Sequence, residues 1–274
     1  VSRIRVALTG WGKDPMNVTV VYLAPFDKML LRGIEATREL DKRAGINNGD
    51  NVLDIGSGLG GPARTFGAEN GAEVIGVDLV PEFVETANVL AERTGVERHV
   101  RFQEANAVDL PFDDDTFDVV TSMAAFMNIK DKKKVYAEIQ RVLKPNGRLA
   151  QLEVMQGPNG PPHFPVLWAA EPSYSFLETP DNIKAMLKEV GFTETAWVDE
   201  NKPALEWAQN MARMMQQQGP PPVGPHIIIG KDAGLRVANS TKSLAEGRVT
   251  TAMIVMTATG QVTSGQKTER VAKQ

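Results

Sequence analysis

Residues 51–64 impose the strongest constraint on what this chain can become. An apolar strand containing Val52, Leu53 and Ile55 runs into Gly56-Ser57-Gly58-Leu59-Gly60-Gly61, and Pro62-Ala63-Arg64 then opens a helix. Glycines at 56, 58, 60 and 61 make a turn too tight for side chains, and proline suits a first helical turn. A strand, a glycine turn and a helix N-terminus form a site for a polar ligand, because unpaired backbone N–H groups point at it. The glycines alone are ambiguous, since Gly56, Gly58 and Gly61 also satisfy the dinucleotide fingerprint.

Two acidic residues narrow the choice. Asp54 sits inside the strand, two residues before the first glycine, where a pyrophosphate would gain nothing from a carboxylate. Asp78 ends the next apolar run, Val74-Ile75-Gly76-Val77, roughly twenty residues after the first glycine, which suits a carboxylate accepting ribose hydroxyls. An acid beside the turn and an acid at the ribose imply a ligand with a cationic or amine end and a nucleoside end. S-adenosylmethionine (SAM) fits that description and NAD does not.

Composition removes several function classes. The 274 residues allow one large domain, or one domain with a cap. A net charge of −4 leaves no basic surface for nucleic acid, and Lys132-Lys133-Lys134 reads as a solvated helix face. There is no cysteine, hence no disulfide, thiolate nucleophile or Cys-based metal site. His99, His163 and His226 lie too far apart for metal spacing, so no metal is expected. No apolar run reaches the roughly 18 residues of a membrane span. No signal peptide is visible, and Val1 in place of Met leaves room for trimmed residues. The expectation is a cytoplasmic protein with a small-molecule substrate, no nucleic-acid or membrane partner, and a monomeric or homodimeric state.

Along the chain, residues 1–48 read as helical and irregular, with an approximate helical period over 28–44 ended by Gly45. This segment precedes the first strand and is positioned to fold back as a lid; an ordinary packing helix is the alternative. Strands are predicted at 51–55, 73–78, 99–104, 117–122 and 147–154, and helices at 61–70, 81–94 and 131–143. Such alternation predicts an α/β fold with parallel strands and right-handed crossovers. Ligands then sit beyond the carboxyl ends of the strands, where the glycine turn, Asp78, Asn106 and the segment after Ser122 all fall. The stretch 156–179 breaks the rhythm with Gly157-Pro158-Asn159-Gly160-Pro161-Pro162-His163-Phe164-Pro165. A helix over 180–190 and a strand over 192–199 follow. A second insertion, 200–247, precedes a last strand at 248–258; it holds a Met-rich helix at 203–217, a loop with three consecutive prolines, Ile227–Ile229 and a helix at 232–246. Residues 259–274 are polar and expected to be disordered.

Four motifs in order carry a family resemblance: Val52–Gly61; Gly76-Val77-Asp78-Leu79; Asn106-Ala107-Val108-Asp109-Leu110-Pro111-Phe112; and Arg141-Val142-Leu143-Lys144-Pro145-Asn146-Gly147. The chain resembles the class I SAM-dependent methyltransferases, in particular the small-molecule branch with ubiquinone/menaquinone-type and sarcosine/dimethylglycine-type enzymes. The resemblance is firm over about 48–155. It implies a Rossmann-like, seven-stranded, mostly parallel sheet with an antiparallel last strand. A helical lid at 1–48 would precede a catalytic domain at 49–258, with cap insertions at 156–179 and 200–247.

The resemblance also implies roles. Asp54, Gly56, Ser57, Gly58, Gly60 and Gly61 would hold the methionine part of SAM, with Asp54 near its ammonium. Asp78 would accept the ribose hydroxyls, Leu79 would pack on adenine, and Asn106 with Ala107 would lie beside the adenine amino group. Ser122 and Met123 would line the cofactor, and Arg32-Gly33 resembles a pair that closes over its carboxylate. One departure matters: many relatives carry two histidines after the fourth strand, where this chain has Met127-Asn128. A histidine base is absent there. That suits an amine acceptor, already nucleophilic when deprotonated; oxygen or carbon acceptors on a quinone or polyketide are the alternative. His163 is the candidate base or substrate ligand and His226 the second; a solvent-facing loop histidine is the plainer reading of each. Met127, Asn128, Glu153, Trp168 and Tyr174 are candidate substrate contacts. An NAD-dependent oxidoreductase and a SAM-binding protein that transfers no methyl group are rivals of another class. A nucleic-acid enzyme is not expected, because Ser122-Met123-Ala124-Ala125 replaces a base-handling motif.

Overall fold

A computed structural model describes residues 2–27, 32–219 and 223–259. Alternating elements build the sheet. They are β1 (Asn51–Ile55), α4 (Gly61–Asn70), β2 (Glu73–Asp78), α5 (Pro81–Thr94), β3 (Val100–Glu104), β4 (Phe117–Met123), α6 (Lys132–Val142) and β5 (Leu143–Gln156). Before them come α1 (Ser2–Gly10), α2 (Val20–Asp27) and α3 (Gly33–Ala44). After them come α7 (Pro180–Glu189), β6 (Phe192–Asp199), α8 (Asn201–Gln218), α9 (His226–Ile229), α10 (Ala233–Ala245) and β7 (Val249–Ala258).

The seven strands are ordered β3-β2-β1-β4-β5-β7-β6. Pairings among β1 to β5 are parallel, and β7 runs antiparallel to both its neighbours, β5 and β6. The strand order reverses between β1 and β4, so the crevice of the sheet opens beyond their carboxyl ends. Both faces of the sheet are apolar and covered, as parallel sheets require. One face carries Leu53, Val120, Leu149 and Ile254 against α6 and α7; the other carries Val52, Val119, Ala150 and Val255 against α3 and α4.

The expected helix over 28–44 begins later, because Arg32 adopts a left-handed backbone (φ 71°) just before α3. Residues 28–31 lie outside the described set. The strand expected at 147–154 is longer, Leu143–Gln156, and irregular near its start. Phe117 pairs with Leu143 but Val119 with Arg148, a register shift that absorbs Lys144-Pro145-Asn146-Gly147. The three consecutive prolines at 220–222 and the polar tail at 260–274 also lie outside the described residues.

The N-terminal helices and the second insertion share a small core. Ile4, Leu8, Leu23 and Phe26 pack with Leu59 of the glycine turn and with Val223 and Ile227 near α9. Opposite, α10 holds the loop after β5: Ser243 Oγ accepts from the His163 N–H at 2.9 Å, Ser240 Oγ from the Leu167 N–H at 2.9 Å, and Asn239 donates to the Pro165 carbonyl at 3.0 Å. Among the described residues no helix is long and apolar enough to cross a membrane.

Candidate cofactor and acceptor site

A cavity of about 930 Å³ lies beyond the ends of β1, β2, β4 and β5 and is closed over by residues of α2, α8, α9 and α10. It stands at the upper end of the ~300–1,000 Å³ range of small-molecule sites, with room for a nucleoside-sized ligand and a second molecule.

Its floor is the glycine turn. The Gly56 and Ser57 N–H groups both donate to the Val77 carbonyl, at 2.9 and 3.0 Å, which ties the turn to β2. Gly58 has φ +54° and nothing within 4 Å of where a Cβ would be, so a side chain there would enter the cavity. Gly61 serves packing instead: a Cβ would meet the Asp27 carboxylate at 2.6 Å.

Asp54 stands at the centre of the floor and is almost wholly buried. One carboxylate oxygen accepts from the Thr121 hydroxyl at 2.8 Å, and the other has no partner among the described residues. Burial, with a smaller effect from the neighbouring Asp78 charge, pushes its carboxyl up to about 7. A ligand ammonium would supply the missing donor and the missing positive charge. Asp78 is fixed from behind: the Gly58 N–H donates to one oxygen at 2.8 Å and the Val80 N–H to the other at 3.0 Å. Each oxygen keeps a second lone pair for a hydroxyl donor. Beside it Leu79 is 63% exposed on the cavity rim, an apolar surface suited to a flat ring. Asn106 also lines the rim; its amide oxygen accepts from the Val108 N–H at 3.2 Å.

Of the other sequence candidates, Gly56, Ser57, Ala107, Met123, Met127, Asn128 and Trp168 lie on the cavity wall. Asn128 also braces the cap, donating to the carbonyls of Trp168 and Tyr174 at 2.9 and 2.8 Å. Arg32 lines the wall and is ion-paired with Glu200 at the head of α8. The remaining candidates stand elsewhere. Gly33 begins α3, and Gly60 is packed against Phe102 and Arg64. Ser122 is buried beneath the floor, where its hydroxyl donates to the Ile55 carbonyl at 3.0 Å.

Four candidates stand off the cavity wall, contrary to expectation. Glu153 is on the opposite side of β5 from Leu152 and Val154, which line the cavity, because successive strand residues alternate faces. It is buried with neither oxygen partnered, and burial raises its carboxyl to about 8 despite the nearby Lys132 charge. Lys132 is buried too, donating to the carbonyls of Ile129 and Phe176. Tyr174 is 62% exposed and off the cavity wall. His163 is also off the wall, its Nε2 set 2.7 Å from a Glu246 oxygen, and His226 begins α9 without lining the cavity. Among the described residues there is no cluster of three or more residues able to hold a metal ion.

Sequence reasoning missed Asp27, Phe176, Glu200 and Arg236, all on the wall. The four-residue spacing of Arg236, Ser240 and Leu244 was the available signal for α10, since it sets them on one helix face.

The strand order, the glycine turn and the two floor carboxylates define a Rossmann-like methyltransferase fold. Residues 53–151 match the family described as Methyltransferase domain. Residues of this chain are 38% identical over 137 residues to erythromycin 3''-O-methyltransferase of Saccharopolyspora erythraea, covering 47% of this chain and 44% of that one. They are 34% identical over 138 residues to a sterol 24-C-methyltransferase of Gibberella zeae, covering 50% and 36%. An uncharacterized protein of Haemophilus influenzae is 33% identical over 178 residues, covering 62% and 70%. The chain thus spans less than half the length of the erythromycin and sterol enzymes. Two solved structures share the fold across nearly the whole chain. The [4+2]-cyclase SpnF has a TM-score of 0.66 and 20% identity, covering 93% of this chain and 92% of that one. A putative sarcosine dimethylglycine methyltransferase from Galdieria sulphuraria has a TM-score of 0.68 and 15% identity, covering 94% and 98%. Residues 53–151 thus carry a methyltransferase domain, of a family whose cofactor is S-adenosylmethionine.

Proposed function

We propose that this protein transfers the methyl group of S-adenosylmethionine to a small-molecule acceptor, with nitrogen favoured as the receiving atom. The observation that carries the proposal is the Asp54 carboxylate, buried on the cavity floor with one oxygen lacking a partner among the described residues. A buried acceptor left unpaired costs about 1–3 kcal/mol, and the ammonium of the cofactor is the donor that removes the cost. Asp78 would accept the ribose hydroxyls, Leu79 would cover adenine, and Asn106 with Ala107 would flank it. The glycine turn leaves the methionine part room beside Gly56 and Gly58.

When bound, the sulfonium supplies a reactive methyl carbon and a neutral thioether leaving group. The acceptor lone pair forms the new bond to carbon while sulfur keeps the electrons of the old one. The protein's work is then alignment at about 3 Å and exclusion of water. Val154, Trp168, Phe176 and Leu244 wall the other half of the cavity and suit that task. No imidazole lines the cavity among the described residues, which supports an amine or amino-acid-like acceptor that sheds its proton to solvent before attack.

A second reading, an oxygen or carbon acceptor, is favoured by Glu200, a buried carboxylate on the wall that would take the acceptor's proton once Arg32 is drawn away. The names of the erythromycin and sterol relatives point to oxygen and carbon. With the reading go a cytoplasmic location, no nucleic-acid partner and a monomeric or homodimeric state.

The test is calorimetric titration with SAM, S-adenosylhomocysteine and NAD, on wild type and Asp78→Ala. Micromolar binding of SAM or its product, lost in the variant, is expected; binding of NAD, or of none, overturns the proposal. Labelled methyl transfer to a panel of amines and hydroxylated aromatics then separates the acceptor atoms. SAM binding without transfer to any of them would leave the non-methylating use of the fold.

A further inference from the structure

Arg236 is a half-buried cation on the wall of this cavity, without an acid paired to it among the described residues. Three basic residues line the wall: Arg32, Lys130 and Arg236. Arg32 is held by Glu200, and Lys130 is exposed beside the N-cap of α6. Arg236 is half-buried; its Nε is fully buried without a hydrogen-bond partner, and among the described residues its side chain makes no ion pair.

The acids on the wall are already committed. Asp27 pairs with Arg64, Glu200 with Arg32, and Asp131 with Lys134. Asp54 and Asp78 stand at the glycine turn, on the cofactor side. The surroundings of Arg236 are apolar. It shares a face of α10 with Ser240 and Leu244, and Leu244 packs with Ala204, Val249 and Trp168. Ser240 spends its oxygen on the Leu167 N–H. A guanidinium at the edge of an apolar wall presents a planar fork of donors, which matches a carboxylate or phosphate two bonds at a time.

We propose that the α10 side of the cavity binds an acceptor that joins an apolar body to one anionic oxygen group, carboxylate or phosphate, and that Arg236 receives that group. The inference rests on the other half of the cavity being the cofactor site. It narrows the acceptor class without deciding which atom is methylated. The apolar body lies along Trp168, Phe176 and Leu244, and the anion anchors one end, which fixes how far the reacting atom reaches toward the glycine turn.

The test uses three probes of matched chain length below their micellar concentrations: decanoate, decyl phosphate and decanol. Each is titrated into protein saturated with S-adenosylhomocysteine, following intrinsic tryptophan fluorescence and calorimetric heat. At least one anion is expected to bind about tenfold more tightly than decanol, as a charge-assisted bidentate contact warrants. Arg236→Gln is expected to erase that preference, and Arg236→Lys to retain part of it, while S-adenosylhomocysteine affinity stays within about twofold. A preference for decanoate identifies a carboxylate, and one for decyl phosphate a phosphate. Equal binding of all three, failure of both anions to bind, or a preference that survives in Arg236→Gln overturns the proposal. The titrations are repeated without the cofactor product. Failure of that product to bind wild type would overturn the cofactor assignment instead, with the anion preference still readable by itself.

Discussion

Asp27 of α2 and Arg64 of α4 form an ion pair in which both side chains are completely buried. Arg64 also donates to the Leu59 carbonyl at 2.5 Å, within the glycine turn. The N-terminal segment is thus bolted to the helix that starts the cofactor floor. Removing one partner strands a buried charge, which costs about 3–5 kcal/mol. Asp27→Ala is expected to lose that much in chemical denaturation, and the double variant Asp27→Leu/Arg64→Met to recover most of it. A loss within about 0.5 kcal/mol, the range of ordinary surface substitutions, would show that the pair does not fasten the segment.

Cofactor binding should expel a proton. Asp54, with its carboxyl near 7 against an ordinary 3.8, is about half protonated at neutral pH in the free protein. A folded-state value raised in this way stabilises the fold below the unfolded value and loses the benefit as pH rises through 7. An incoming ammonium favours the charged form, so affinity for S-adenosylhomocysteine rises from pH 6 to pH 8. Calorimetry in buffers of different ionisation heats should find roughly half a proton released at pH 7. Asp54→Asn should abolish both the release and the pH dependence.

His163 is tied to Glu246 outside the cavity. His163→Ala should therefore leave kcat within about twofold of wild type, whereas loss of a general base costs about a hundredfold or more. A drop of that larger size would return the histidine to the chemistry.

Glu153 makes a separate pH signature. Its carboxyl is raised from 4.5 to about 8 by burial, so its stabilising effect is present in acid and fades as pH climbs through 8. Glu153→Gln cannot ionise. Its Tm relative to wild type should rise between pH 5.5 and pH 8.5, reflecting a difference of roughly a few kcal/mol in stability. A constant difference would mean that Glu153 ionises freely beside Lys132.

The sheet was legible because its signals are local. β1, α4, β2 and α5 begin and end where apolar runs meet glycine or proline. Asp54, Gly56, Gly58 and Asp78 line the cavity, as expected from the sequence, because the placing of each depends on neighbours within a few residues. The cap was harder. Glu153 looked like a cavity residue until the strand's alternation turned it away, and His163 looked reactive until Glu246, 83 residues distant, claimed it. Arg64 read as the opening turn of a helix, and only Asp27, 37 residues before it, reveals the burial. Such partners are set by tertiary packing and leave no periodic trace.

β7, the last strand in sequence, lies inside the sheet, between β5 and β6. β7 thus joins β6 to the parallel part of the sheet, and without it β5 would keep an open edge and β6 would have no neighbour to pair with. Val249 and Thr251 of that strand line the cavity. Clipping ahead of β7 would therefore remove part of the cavity wall together with the strand that closes the sheet.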